Sequence, residues 1–124
     1  MNYLAIDFGT KRIGLAYTIN DIIFTLPMAK NDDNFFKNLS QIITDYHLEK
    51  IYVGISEGKI ADMTKNFVLK LSSMLNLPIE TVEEAVSTIE AEAIFKTNKK
   101  ASKSYSQQID SIAAAVILRR VINS

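Results

Sequence analysis

Tyr3-Leu4-Ala5-Ile6-Asp7-Phe8-Gly9-Thr10-Lys11-Arg12-Ile13-Gly14-Leu15-Ala16-Tyr17-Thr18 is the stretch whose reading decides the fold. Residues 3–8 are short, apolar and closed by Gly9, which suits a central strand buried on both faces better than a helix, and Asp7 sits at its end. Gly9-Thr10-Lys11 predicts a tight turn into a second strand over 12–18. Asn20-Asp21 predicts another turn into a third strand over 22–26, completing an antiparallel meander.

Working outward, Asn31-Asp32-Asp33 offers N-cap residues for a helix whose apolar positions Phe35, Phe36, Leu39, Ile42, Ile43 and Tyr46 recur at three- and four-residue spacing. Residues 51–54 predict a short strand. From Asp62, the positions Phe67, Leu71, Met74 and Leu75 sketch a second helix that ends before Pro78, and a strand follows from Ile79 to Glu83 or Glu84. Ser87-x-x-Glu90 makes a capping box for a helix through Phe95, whereas residues 98–106 lack apolar periodicity and predict an exposed, mobile loop. The last helix covers 108–121, with Ile109, Ile112, Ala113, Val116, Ile117 and Val121 on one stripe and Ala114-Ala115 permitting close packing.

The order βββαβαβαα implies an α/β fold: a mixed five-stranded sheet, three antiparallel strands then βαβ units, flanked by helices. Right-handed crossovers make strands one, four and five parallel. Their carboxyl ends then share the edge beyond which ligands bind in such sheets, so Asp7, Gly54 and Glu83-Glu84 are expected to meet there.

Composition narrows the function classes. The 124 residues suit one domain over 1–124, and 48% hydrophobic with 23% charged residues excludes a disordered tail. Fourteen Lys and Arg balance fourteen Asp and Glu, so a nucleic-acid role needs locally clustered base rather than net charge. The absence of cysteine excludes disulfides, thiolate nucleophiles and Cys-ligated metals. The N-terminus lacks the pattern of a signal peptide and no apolar run approaches the roughly 20 residues of a membrane span, so a cytoplasmic protein without membrane partners is expected. His47 is the single histidine, which excludes His-rich metal sites; beside Asp45-Tyr46 it reads as a solvated capping residue.

The chemistry-bearing candidates are carboxylates. Asp7, at the end of an otherwise apolar strand, is satisfied either by a bound cation or by capping the N–H groups of Gly9 or Thr10. Glu83 and Glu84 are either site acids or solvated strand-end acids, and Asp110, read at the start of the last helix, is either a ligand or a cap, as is its neighbour Ser111. Three acids brought together form an oxygen cage suited to Mg²⁺ or Mn²⁺ and to phosphodiester hydrolysis. Thr10, Lys11 and Arg12, with Gly9 and Gly14 leaving room for a backbone, make either a phosphate-holding turn or an ordinary hairpin turn. Residues 96–106 carry Lys96, Lys99, Lys100 and Lys103 without an acid, and Tyr105 is available to stack on a base; the segment is either a nucleic-acid contact or a solvated loop. Arg119-Arg120 fits the C-terminal dipole of the last helix.

Residues 7–16, Asp-Phe-Gly-Thr-Lys-Arg-Ile-Gly-Leu-Ala, resemble the opening motif of the YqgF (RuvX) family of Holliday-junction resolvase-like and pre-16S rRNA nucleases, which have an RNase H-like fold. The likeness spans almost the whole chain. Val53-Gly54 resembles the family's Val-Gly segment, Ser87-Thr88-x-Glu90-Ala91 the end of its Asp-Glu-Arg-Leu-Thr-Thr motif, and Asp110-Ser111-x-Ala113-Ala114 its C-terminal Asp-x-x-Ala-Ala. The resemblance implies metal-binding carboxylates at Asp7, Glu83, Glu84 and Asp110, with Asp7, Glu84 and Asp110 catalytic, and Mg²⁺ or Mn²⁺ as cofactor. It implies a nuclease that matures the 5′ end of precursor 16S rRNA. The alternatives are a resolvase-like nuclease acting on branched DNA and a catalytically weakened nucleic-acid-binding module. Two departures bear on activity: Ala85 stands at the motif's Arg, and Ile55-Ser56 where the family has a hydrophobic residue followed by Pro, so substrate positioning is expected to be weakened. The motif at 7–14 also resembles the first phosphate motif of the actin and sugar-kinase ATPases, which close two such domains over ATP; 124 residues do not supply the second wall.

Overall fold

A computed structural model describes the backbone of residues 1–55, 59–83 and 105–123, with side chains described for 1–55, 61–82 and 111–123. The central strand is β1 (Tyr3–Asp7), which pairs antiparallel with β2 (Arg12–Ile19) and parallel with β4 (Lys50–Ile55). Outside these lie β3 (Ile22–Lys30), antiparallel to β2, and β5 (Ile79–Glu83), parallel to β4. The five-stranded order is therefore β3-β2-β1-β4-β5, a meander extended by parallel crossovers as the sequence predicts. The described helices are α1 (Phe35–Asp45), α2 (Lys59–Met74) and α3 (Tyr105–Ile122). None is long and apolar enough to cross a membrane.

Alternation along β1 explains why both faces of the sheet are covered. Leu4 and Ile6 point to one side, where Ile13, Leu15, Tyr17, Ile51 and Val53 join them against Phe35 and Leu39 of α1 and Phe67 and Leu71 of α2. Each such Leu, Ile or Phe contributes about 1.5–3 kcal/mol by leaving water. Ala5 points to the other side, opposite Ala16 in the β1–β2 register, and these small side chains meet the buried Ala114-Ala115 pair of α3. The expected close packing is therefore present. The expected single stripe is not: from Ser111 to Leu118 every residue but Ala113 is buried, so apolar side chains wrap α3, as suits a helix enclosed on more than one side.

Local chemistry corrects several boundaries. Tyr105 and Ser106, assigned by periodicity to a loop, already belong to α3; the rest of that loop and the helix expected at 87–95 lie outside the described residues. β3 continues past Leu26 to Lys30 because its Pro27 sits on an edge strand at a bulge, where Gly14 of β2 faces both Pro27 and Met28 and no ladder N–H is needed. The N-cap of α1 is Asn34, not a residue of the 31–33 triplet, although the Asp32 carboxylate accepts from the Asn34 N–H at 3.0 Å and so shapes the approach. Met74 is 53% exposed rather than on the buried stripe of α2.

Two turns use left-handed backbone. Asn20 and Asp21 both have positive φ between the paired Ile19 and Ile22, the conformation of a two-residue type I′ hairpin. His47, exposed and at φ 52°, follows α1: its N–H donates to Thr44 O, and the Leu48 N–H donates back to Ile43 O at 3.0 Å. That pair of bonds is a Schellman termination, with buried Leu48 closing the apolar contact. His47 is thus a capping-position residue through its backbone.

Candidate active site

At the carboxyl edge of the parallel strands, register places Asp7 level with Gly54 of β4, Gly54 level with Val82 of β5, and Ile55 level with Glu83. Asp7 and Glu83 therefore end strands two spacings apart, roughly 10 Å across the sheet. On its other flank Asp7 is paired with Gly14 of β2. A glycine on each side leaves the carboxylate without a lateral side chain over it in the sheet, and Asp7 is half-buried. By strand parity it lies on the α3 side, beyond Ala5.

The β1–β2 turn folds tightly around this carboxylate. A Cβ on Gly9 would collide with the backbone carbonyl of Arg12, so no other residue fits that close approach. Asn31, just after β3, clamps the turn: its side-chain amide donates to Gly9 O at 3.0 Å and its backbone N–H donates to Lys11 O at 2.9 Å. Thr10, Lys11 and Arg12 are consequently exposed on a fixed scaffold, and with Asp7, Gly9 and Met28 they line an open depression of about 410 Å³. Asp7 and the predicted phosphate turn are thus brought together. Sequence reasoning missed Asn31, which it read as a helix cap, and Met28, which lies beyond the expected end of β3; the polar Asn directly after a strand was the available signal.

Asp110 stands in the second turn of α3, not at its start, so the helix-capping alternative loses its basis. Its neighbour Ser111 is fully buried and donates its hydroxyl to Leu26 O, tying this end of α3 to β3 beside the bulge. Ser111 is a tether rather than a cap. Of the four expected carboxylates only Asp7 has a described side chain, and among the described residues no three ligating side chains converge. Glu84, Ala85, Ser56, Lys99, Lys100 and Lys103 lie outside the described residues. The donor chemistry nevertheless fits a hard divalent cation: a half-buried carboxylate between two glycines, opening on a depression with room for retained waters.

A family model described as "RuvX: Holliday junction resolvase" matches residues 1–124. A protein of Maridesulfovibrio salexigens named "Putative pre-16S rRNA nuclease" is 34% identical over 128 residues, covering 95% of this chain and 95% of that one. One of the same name from Geobacillus sp. (strain WCH70) is 30% identical over 136 residues, covering 100% and 99%. Among solved structures the fold is similar to T. thermophilus RuvC in complex with Holliday junction substrate, with TM-score 0.65 and 14% identity over 100% of this chain and 97% of that chain. It is also similar to Fowlpox virus resolvase with its substrate Holliday junction DNA, with TM-score 0.60 and 14% identity over 98% and 99%. The mixed sheet is thus the RNase H-like sheet of the resolvases, and the chain belongs to the RuvX (YqgF) family of nucleases.

Proposed function

We propose that this chain is a divalent-metal-dependent endonuclease that hydrolyses phosphodiester bonds at the 5′ end of precursor 16S rRNA. The observation that carries this reading is the placement of the Asp7 carboxylate and the Thr10-Lys11-Arg12 turn around one open depression at the carboxyl edge of the sheet. Asp7, Glu84 and Asp110 are the catalytic carboxylates and hold Mg²⁺ or Mn²⁺, with Glu83 as the further ligand. Glu84 stands at the Glu position of the family motif and Glu83 at its Asp, which favours Glu84 over Glu83 as the direct ligand. When bound there, the ion makes water nucleophilic near neutral pH and neutralises charge developing on the phosphate. Lys11 and Arg12 hold a phosphate oxygen beside Asp7, Thr10 donates a hydroxyl, and Gly9 keeps the backbone clear of the strand. Lys99, Lys100 and Lys103 add attraction for the backbone.

The relatives' shared name favours the RNA substrate, and the family description makes four-way DNA junctions the comparison. The test is cleavage of structured RNAs with a 5′ extension, single strands and DNA junctions in Mg²⁺ or Mn²⁺ by the parent chain and by Asp7→Asn. The amide keeps the shape of Asp7 and loses its charge. Since supporting residues around a metal are worth about 10–100-fold, a direct ligand is expected to cost more than about 100-fold, with the melting temperature unchanged. Equal cleavage by Asp7→Asn removes the metal site, and preference for junctions over RNA replaces the substrate.

A further inference from the structure

Beyond the depression around Asp7, a second one of about 240 Å³ lies on the outer side of β2 and β3, lined by Arg12, Pro27, Met28 and Lys30. Arg12 and Met28 line both, so the two adjoin at these side chains. Arg12 and Lys30 are direct partners in the β2–β3 register, and their side chains leave the same face of the sheet. Like charges directly opposite each other destabilise a sheet. Neither forms an ion pair among the described residues, whereas Lys50 pairs with Glu80 at 3.7 Å. Asn31 holds the Gly9–Lys11 turn to the end of β3, next to the backbone from which both side chains leave. The edge is unsuited to taking on another strand, because Pro27 lacks an N–H and the bulge interrupts the ladder.

We infer that the Arg12–Lys30 rung forms a second phosphate subsite, in which Arg12 bridges from the phosphate at Asp7 to the next one along the nucleic-acid strand and Lys30 holds that second phosphate, while Met28 and exposed Pro27 floor the intervening sugar. The strand crosses from the Asp7 depression over the β2–β3 edge. An anion seated between the two cations offsets their repulsion, so the feature that costs the free protein stability serves the complex. This subsite rests on the nuclease reading above, but it is tested separately from it.

The experiment measures binding of a short single-stranded RNA to the full chain in chelator, where cleavage does not interfere, across a range of salt concentrations. The parent, Lys30→Gln and Lys30→Arg are compared, each with its melting temperature. One lost phosphate contact lowers the slope of log affinity against log salt by about 0.7. Lys30→Gln is expected to show that loss with a melting temperature equal to or above the parent's, and Lys30→Arg to restore the slope. An unchanged slope in Lys30→Gln overturns the subsite and leaves the nuclease reading intact, as does an equal loss in Lys30→Arg. Parent protein that binds RNA without salt dependence overturns it as well. Undiminished cleavage by Asp7→Asn, by contrast, removes the metal site and leaves the salt slopes untouched.

Discussion

The two faces of the sheet are made of different materials. Under α1 and α2 lie Leu, Ile, Val, Phe and Tyr side chains that fill the space between the layers, and this face carries most of the burial. Under α3, Tyr3 and Tyr52 fill the amino ends of β1 and β4, and toward the carboxyl edge the strands offer Ala5, Ala16, Gly14, Gly54 and the carboxylate Asp7. The small residues Ala5 and Ala16 let α3 pack close, and the glycines leave the carboxyl edge open around Asp7. The same strand thus gives Leu4 and Ile6 to the core and Asp7 to the candidate site, because successive side chains point to opposite faces.

That division breaks most visibly by crossing two substitutions. Leu39→Ala, at a site 1% exposed beneath α1, is expected to cost about 2–5 kcal/mol of unfolding free energy by urea titration while the surviving folded fraction cleaves at the parent rate. Asp7→Asn should do the converse. A loss of intrinsic activity in Leu39→Ala beyond its unfolded fraction would show that the two faces are not separable.

Ser111→Ala probes the point where the faces communicate. The hydroxyl is fully buried and Leu26 O accepts its hydrogen bond, so its removal should cost about 1–3 kcal/mol. Because Asp110 is the preceding residue of α3, cleavage should fall along with stability, and Ser111→Thr should recover part of both. Intact cleavage in Ser111→Ala would separate the tether from the site.

How much of this was legible depends on the range of the interaction. Strand β1, the Asn20-Asp21 turn and the parallel arrangement of β1, β4 and β5 follow from local pattern and chain-handedness, and sequence reading recovers them. The placement of Asp7 and the Thr10–Arg12 turn around one depression is also legible, because they are contiguous. Missed features depend on contacts across the chain. Pro27 signals a break locally, yet its position on a free edge lets β3 continue through it. Asn31 has the composition of a cap, and only the folded chain shows its amide reaching Gly9. α3 has an apolar pattern readable as a stripe, whereas its neighbours in space bury it nearly all round.

A smaller effect sharpens the picture at the end of α1. His47 adopts a left-handed conformation that costs a residue with a Cβ about 1–2 kcal/mol. His47→Gly relieves this but enlarges the freedom of the unfolded chain, so a net gain of about 0.5–1 kcal/mol is expected, with cleavage unchanged. A loss of stability would mean that the imidazole itself contributes to the cap.

The smallest effect at neutral pH lies in the aromatic stack at the far end of the large-residue face. Tyr17 stacks on Tyr46 with ring centroids 4.1 Å apart and on Phe24 at 5.3 Å. Burial pushes the Tyr17 hydroxyl up to about 12, helped by its hydrogen bond to Tyr46 and by the charge that Tyr46 carries when ionised. The ordinary phenol value is near 10, so the folded state holds this proton more tightly than the unfolded state does. The stabilisation is fully present below pH about 10 and is lost as pH rises from there through about 12. Unfolding free energy measured across that window should fall more steeply for the parent than for Tyr17→Phe, while the two curves run parallel at lower pH. Tyrosinate absorbance gives an independent reading: the parent-minus-variant difference should rise near pH 12, and a rise near pH 10 would show that the ring is wet and that this face is less tightly closed than its packing implies.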